Sequence, residues 1–154
     1  MIKVSDILRS DDIVLTLEAA PPATIIDTVA ARLQHDERVL DWHKLRDALH
    51  ASAPCIGEPG ADFAVVLPHA RTDAVNAMAM SVGRASAGLV FPEAVQPVRY
   101  VFCIGVPRAL AADYLRLVGL LARLLRDRAT EAQLRTSATA EDFLAVLGRL
   151  EAKL

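Results

Sequence analysis

The chain has 154 residues, enough to bury a sizeable core without metal or disulfide staples. Apolar residues make up 53% and charged residues 23%, which excludes a disordered chain. Seventeen basic and nineteen acidic residues give a net charge of −2. No basic stripe is interleaved with aromatics, so nucleic acid is not an expected partner. No apolar run approaches the roughly 18 residues of a spanning helix, so membrane insertion is not expected either. The opening Met1-Ile2-Lys3-Val4-Ser5-Asp6 does not read as a signal peptide. Cys55 and Cys103 lie far apart and in no CxxC pair, which suits a reducing cytoplasm.

Along the chain, helix and strand patterns alternate. Asp6-Ile7-Leu8 belongs to a short opening helix, and Ile13-Val14-Leu15-Thr16-Leu17 reads as a strand. Pro21 and Pro22 precede a helix expected near residues 23–35, where Ile25, Ile26, Val29, Ala30 and Leu33 recur at helical spacing. Asp41 is a candidate N-cap for the next helix, with Trp42, Leu45 and Leu49 on one side. A loop follows over 52–62, punctuated by Gly57, Pro59 and Gly60. Strand-like runs then cover 63–67, 77–82 and 98–106. Gly83 and Gly88 break the segment after the second run, and Pro107 ends the third. A long helix is expected over 110–126, with Leu115, Val118, Leu121, Ala122 and Leu125 on a broad apolar face. Thr130-x-x-Gln133 fits a capping box for a short helix. Thr139 is a candidate cap for the last helix, which turns Phe143, Val146, Leu147 and Leu150 inward. No repeat or linker divides the chain, so residues 1–154 are expected to form a single domain. The fold class expected is α/β: a three-layer α/β/α domain with a mixed sheet of about four to five strands flanked by helices.

His69 is the leading candidate for chemistry. It lies in Leu67-Pro68-His69-Ala70-Arg71, directly after the apolar run Phe63-Ala64-Val65-Val66. A histidine just past a buried strand is held by rigid backbone while its ring can still reach the surface. Imidazole is also neutral, nucleophilic and protonatable near pH 7. His35, His43 and His50 read as surface residues, because no acidic or cysteine set of metal-site spacing accompanies them. No metal or other cofactor is expected. Ser81 and Ser86 lack a nucleophile-elbow context.

The stretch Phe63-Ala64-Val65-Val66-Leu67-Pro68-His69-Ala70-Arg71 resembles the phosphorylation-site signature of phosphotransferase-system enzyme IIA domains of the fructose/mannitol type. Val4-Ser5-Asp6-Ile7-Leu8, followed by Ile13 to Ala19, is similar to the start of the nitrogen-regulatory members. Leu120-Leu121-Ala122-Arg123-Leu124-Leu125-Arg126-Asp127 is similar to the family's long helix. The resemblance implies a phosphohistidine carrier. His69 would accept a phosphoryl group from a phosphocarrier protein, and regulated protein partners would sense the phosphorylation state. Catalysis would rest on in-line positioning and electrostatic cover of the transferring oxygens, without metal or nucleotide. Arg71 could screen phosphate charge bidentately. Either ring nitrogen of His69 could attack.

The chain also departs from that pattern. The family's glycine-rich segment is here Gly57-Glu58-Pro59-Gly60-Ala61-Asp62. A gapless count puts Ala53 where an arginine is common, and Tyr114 where a second histidine often sits. A tyrosine hydroxyl can bond a phosphate oxygen but carries no positive charge. The alternative expectation is therefore a degenerate binding module of the same fold, with little or no phosphoryl transfer.

Overall fold

The computed structural model describes residues 2–57 and 61–153, so Pro59 and Gly60 of the expected loop lie outside the described residues. Helix α1 (Val4–Ile7) leads into β1 (Leu8–Val14), then α2 (Pro22–Ala30) and α3 (Trp42–Leu49). Strands β2 (Ala64–Val66), β3 (His69–Arg71), β4 (Ala79–Leu89) and β5 (Val98–Val106) follow. The chain ends in α4 (Ala111–Arg126), α5 (Arg128–Thr136) and α6 (Ala140–Glu151). The strand order is β1-β4-β5-β2, with β3 also on β5. β1 is parallel to β4, β4 antiparallel to β5, and both β2 and β3 parallel to β5. The sheet is thus mixed and five-stranded, and helices cover both faces, as the alternating pattern predicts.

β5 is the central strand, and every one of its residues except Arg99 is buried. A strand buried on both faces reads as a near-continuous apolar run. Tyr100, Phe102, Ile104 and Val106 pack on one face with Leu117, Leu121, Phe143 and Leu147 of α4 and α6. Val101 and Cys103 pack on the other with Ile25 and Val29 of α2 and Leu45 and Leu49 of α3. Burial pushes the Cys103 thiol well above its ordinary range.

Several expected boundaries move, each for a physical reason. β1 begins at Leu8 and ends at Val14, so it takes in the polar run Arg9-Ser10-Asp11-Asp12 that reads poorly as strand. The run is tolerated because Arg9 and Asp12 are paired and Asp11 is exposed. Arg38 is buried, and its guanidinium reaches Asp36 at 2.7 Å, Asp12 at 3.5 Å and the Ile7 carbonyl at 2.8 Å. Arg9 bonds Glu37 on the surface.

β4 runs through Gly83 rather than stopping there. A Cβ at Gly83 would lie 2.3 Å from Leu17 Cδ1 and 2.7 Å from Val29 Cγ2, so this glycine permits close approach of α2 and is no strand breaker. Gly88, at φ 75°, lies in the stretch where the β4–β5 register shifts.

Asp41 caps α3 and Thr139 caps α6 as expected, accepting from the amides of Lys44 and Asp142. The capping box at Thr130 does not form. Asp127 caps α5 instead, accepting from Thr130 N at 3.0 Å, because α5 begins directly after α4 ends. In α4 the buried stripe is Leu117, Leu121, Leu124 and Leu125, and Leu115 is 68% exposed.

Two outcomes follow from this packing. Gly83→Ala is expected to lower unfolding free energy by about 1–3 kcal/mol, because a packed core must part to admit the methyl; chemical denaturation checks it, and an unchanged midpoint contradicts it. Burial, reinforced by Asp36, raises the Asp12 carboxyl to about 6. A carboxyl raised on folding contributes stability that is fully present below its unfolded value and lost as pH rises through the folded one. Wild type should therefore lose stability relative to Asp12→Asn between about pH 4 and pH 7. Thermal melts across that range measure the gap, and a gap that does not widen with pH refutes the assignment.

Candidate functional site

The site is built where β2 gives way to β3. The β2 ladder on β5 ends at Val66, and Pro68 has no N–H to continue it. Pro68 still offers its carbonyl, which accepts from Ile104 N at 2.9 Å, so pairing on β5 resumes at once. His69 is then registered on Ile104, Ala70 on Gly105 and Arg71 on Val106. His69 therefore opens a second short strand. The segment 52–56 flanks this edge. Pro54 O accepts from Leu67 N at 2.9 Å, and Ser52 O from His69 N at 3.4 Å.

Strand alternation sends His69 and Arg71 to one face and Ala70 to the other. Ala70 is buried in the cluster of α2 and α3. His69 and Arg71 are therefore on the α4 side. The imidazole is half-buried and stacks on the ring of Tyr114, with centroids 4.6 Å apart and planes 22° apart. His69 Nδ1 lies 2.9 Å from the Leu67 carbonyl oxygen. A carbonyl only accepts, so Nδ1 carries the proton and donates it. In the neutral ring this leaves the lone pair on Nε2.

Tyr114 stands in the first half of α4 and is half-buried. Burial pushes its phenol up to about 12, so it stays a neutral donor near pH 7. The Arg71 side chain is exposed and makes no ion pair among the described residues. The three expected site residues thus share one face: His69 and Tyr114 touch, and Arg71 stands one strand repeat further on.

Two other positions fall elsewhere. Ala53 packs against the cluster of α2 and α3, on the face away from the His69 ring. Gly57 lies against Ala64 at the start of β2 rather than beside His69. Arg108 is a cation that the sequence reading passed over. It follows Pro107 at the end of β5, near Asp73, whose carboxyl is held low first by Lys44 and then by Arg108. An arginine just past the strand that carries His69's neighbour was the available signal. Of the other histidines, His50 Nε2 meets Asp27 Oδ1 at 2.7 Å, in a surface group with Arg46.

A direct check of the tautomer is available. Long-range ¹H–¹⁵N spectra near pH 8 should show His69 protonated on Nδ1 and bare on Nε2. The opposite pattern would break the assigned hydrogen bond.

Residues 6–149 match the family described as phosphoenolpyruvate-dependent sugar phosphotransferase system, EIIA 2. The chain is 33% identical over 92 residues to the fructose-specific EIIA component of the phosphotransferase system of Haloferax volcanii, and the match covers 56% of this chain and 58% of that relative. Less than two thirds of the relative's length is therefore spanned. Among solved structures, the nitrogen regulatory protein IIA-Ntr of Neisseria meningitidis superposes with a TM-score of 0.79 at 23% identity, covering 94% of this chain and 98% of that one. Enzyme IIA of the mannitol system of Escherichia coli, solved in complex with phosphorylated enzyme IIB, superposes with a TM-score of 0.69 at 18% identity, covering 93% of this chain and 99% of that one. At these identities the structures speak for the fold. With the family match across nearly its whole length, the chain belongs to the EIIA 2 family of the sugar phosphotransferase system.

Proposed function

We propose that this protein is a phosphohistidine carrier of the enzyme IIA type and that His69 is its acceptor. Membership of the EIIA 2 family supports a phosphocarrier-type role. The single sheet with an apolar cluster on each face supports reading 1–154 as one domain. The observation that carries the reading is the His69 ring itself. It is half-buried, steadied on one face by Tyr114 and anchored through Nδ1, so that Nε2 keeps its lone pair.

In the proposed step, Nε2 attacks the phosphorus of a phosphorylated carrier protein. The new N–P bond forms as the donor's bond to phosphorus breaks, and the donor side chain leaves with that electron pair. The Nδ1–H bond to the Leu67 carbonyl disperses the positive charge that grows on the ring. Arg71 would face the phosphoryl oxygens from the same side of the strand, and Tyr114 would offer its neutral hydroxyl. The proposed class is the regulatory one, with a phosphocarrier as donor, protein partners that respond to the phosphorylation state, and a cytoplasmic location. Among the described residues no helix is long and apolar enough to cross a membrane.

A second reading keeps the fold as a binding module with little or no transfer. It is favoured by one observation: the described contacts of the His69 ring are a carbonyl and a tyrosine ring, and no cation bonds it. A lost charge-assisted contact to the phosphoryl group is worth about 1.5–3 kcal/mol, or roughly a ten- to hundredfold change in rate.

Incubation with phosphorylated carriers separates the two readings. The first expects one added phosphoryl group, acid-labile and base-stable, that is absent from His69→Ala and retained in His35, His43 and His50 variants. No labelling by any of several carriers that label a standard enzyme IIA would leave the binding module standing. If charge is what Tyr114 lacks, Tyr114→His should raise the labelling rate about tenfold. Ala53→Arg, on the far face, should raise it much less.

A further inference from the structure

The segment 52–56 runs antiparallel along the outer edge of β2 and continues past it to β3. Cys55 is bridged to Val66, and the two bonds that flank this pair are both present. Leu67 N donates to the Pro54 carbonyl at 2.9 Å, and Ile56 N donates to the Val65 carbonyl at 2.9 Å. Further along, His69 N donates to the Ser52 carbonyl at 3.4 Å. The faces agree with this register. Ile56, Val65 and Leu67 belong to the cluster on the α4 side, and Ala53, Cys55 and Val66 to the cluster on the α2 and α3 side.

The same register assigns a donor to the Leu67 carbonyl. In an antiparallel ladder, facing residues joined by one N–H···O bond exchange a second in return. Leu67 gives its N–H to residue 54, so its carbonyl faces the nitrogen of residue 54. That residue is Pro54, which has no N–H. Prolines on edge strands ordinarily turn the missing N–H toward solvent. Pro54 turns it inward, at the place where a ladder bond belongs. The loss is local, because two residues away Ile56 N does reach the Val65 carbonyl.

Leu67 is 1% exposed, so its carbonyl needs a donor from the protein. Among the described residues that donor is His69 Nδ1, at 2.9 Å. The proline that withholds one donor and the histidine that supplies another thus meet at a single oxygen. The hydrogen bond made by one ring nitrogen sets which nitrogen is bare. Competition for the Leu67 oxygen therefore bears directly on the His69 tautomer.

We propose that Pro54 is a positioning residue for His69: by leaving the Leu67 carbonyl without its ladder donor, it reserves that oxygen for Nδ1–H and keeps the lone pair on Nε2. Pro54 acts through the Leu67 carbonyl and not on the ring. Its part in transfer rests on His69 being the phosphoryl acceptor, whereas its part in the tautomer does not. A carbonyl oxygen can accept two bonds, but two donors that share it are each held more weakly. An N–H at position 54 therefore loosens the hold on Nδ1.

Two variants that differ in that N–H test this. Pro54→Ala restores it, and because Pro54 is exposed the fold should stand. Lactic acid at the same position, placed by amide-to-ester replacement, carries the same methyl side chain without the N–H. Both are compared with wild type, unphosphorylated and near pH 8, by ¹H–¹⁵N NMR. The alanine variant should show coupling across a hydrogen bond from amide 54 to the Leu67 carbonyl. Its ratio of Nε2–H to Nδ1–H forms at His69 should rise about fivefold, the worth of one ordinary hydrogen bond. The lactic acid variant should keep the wild-type ratio. The proposal is overturned if the new amide bonds Leu67 and the ratio does not move, or if the new amide makes no bond there. It is also overturned if the ester variant shifts as far as the alanine one, since the effect would then belong to the proline ring and not to the missing N–H. No carrier enters these spectra, so they decide the role of Pro54 whether or not His69 is labelled.

Discussion

The pairing of β3 on β5 is the constraint on which the site depends. Pro68 interrupts the edge ladder because it has no N–H, yet its carbonyl bonds Ile104 and returns the chain to register within one residue. The interruption turns the Leu67 carbonyl to His69 Nδ1, and the return to register fixes the His69 backbone on a strand buried on both faces. Ring orientation and tautomer are thus consequences of backbone pairing. A side chain placed in this way would need little reorganisation for the proposed transfer, which is how a protein lowers a barrier by position alone.

The same geometry shows how the site differs from the pattern its sequence suggests. At the place of a second histidine stands Tyr114, whose ring lies against the imidazole and whose phenol is neutral. Stacking steadies the ring but supplies no charge. Ala53 is no vacancy beside His69, because its side chain joins the cluster on the other side of the sheet. The cation on the same face as His69 is Arg71.

Much of this was legible in the residues. β5 reads as an apolar run interrupted only at Arg99 because both of its faces are buried, and its bounds follow directly. Asp41 and Thr139 cap the helices that their positions suggest, since each directly precedes a periodic stretch. The motif at 63–71 brings out His69 and Arg71 together, and the site holds them on one face. Where the reading failed, a tertiary partner overrode a local rule. β1 carries Arg9, Asp11 and Asp12 because Arg38, distant in sequence, pairs with the buried one. Gly83 looks like a break and is a contact surface, since Leu17 and Val29 press on it from outside the strand. Asp127 and Thr130 both suit an N-cap, and only the end of α4 decides between them.

The central claim is that the Leu67 carbonyl holds His69 by Nδ1, so that phosphate goes to Nε2. The most direct measurement is ¹⁵N-edited NMR of the phosphorylated protein, reading the ³¹P–¹⁵N coupling at His69. Coupling to Nε2, with Nδ1 still protonated and bonded, is the predicted result. Coupling to Nδ1 would require the bond to Leu67 to break first, and would contradict the account.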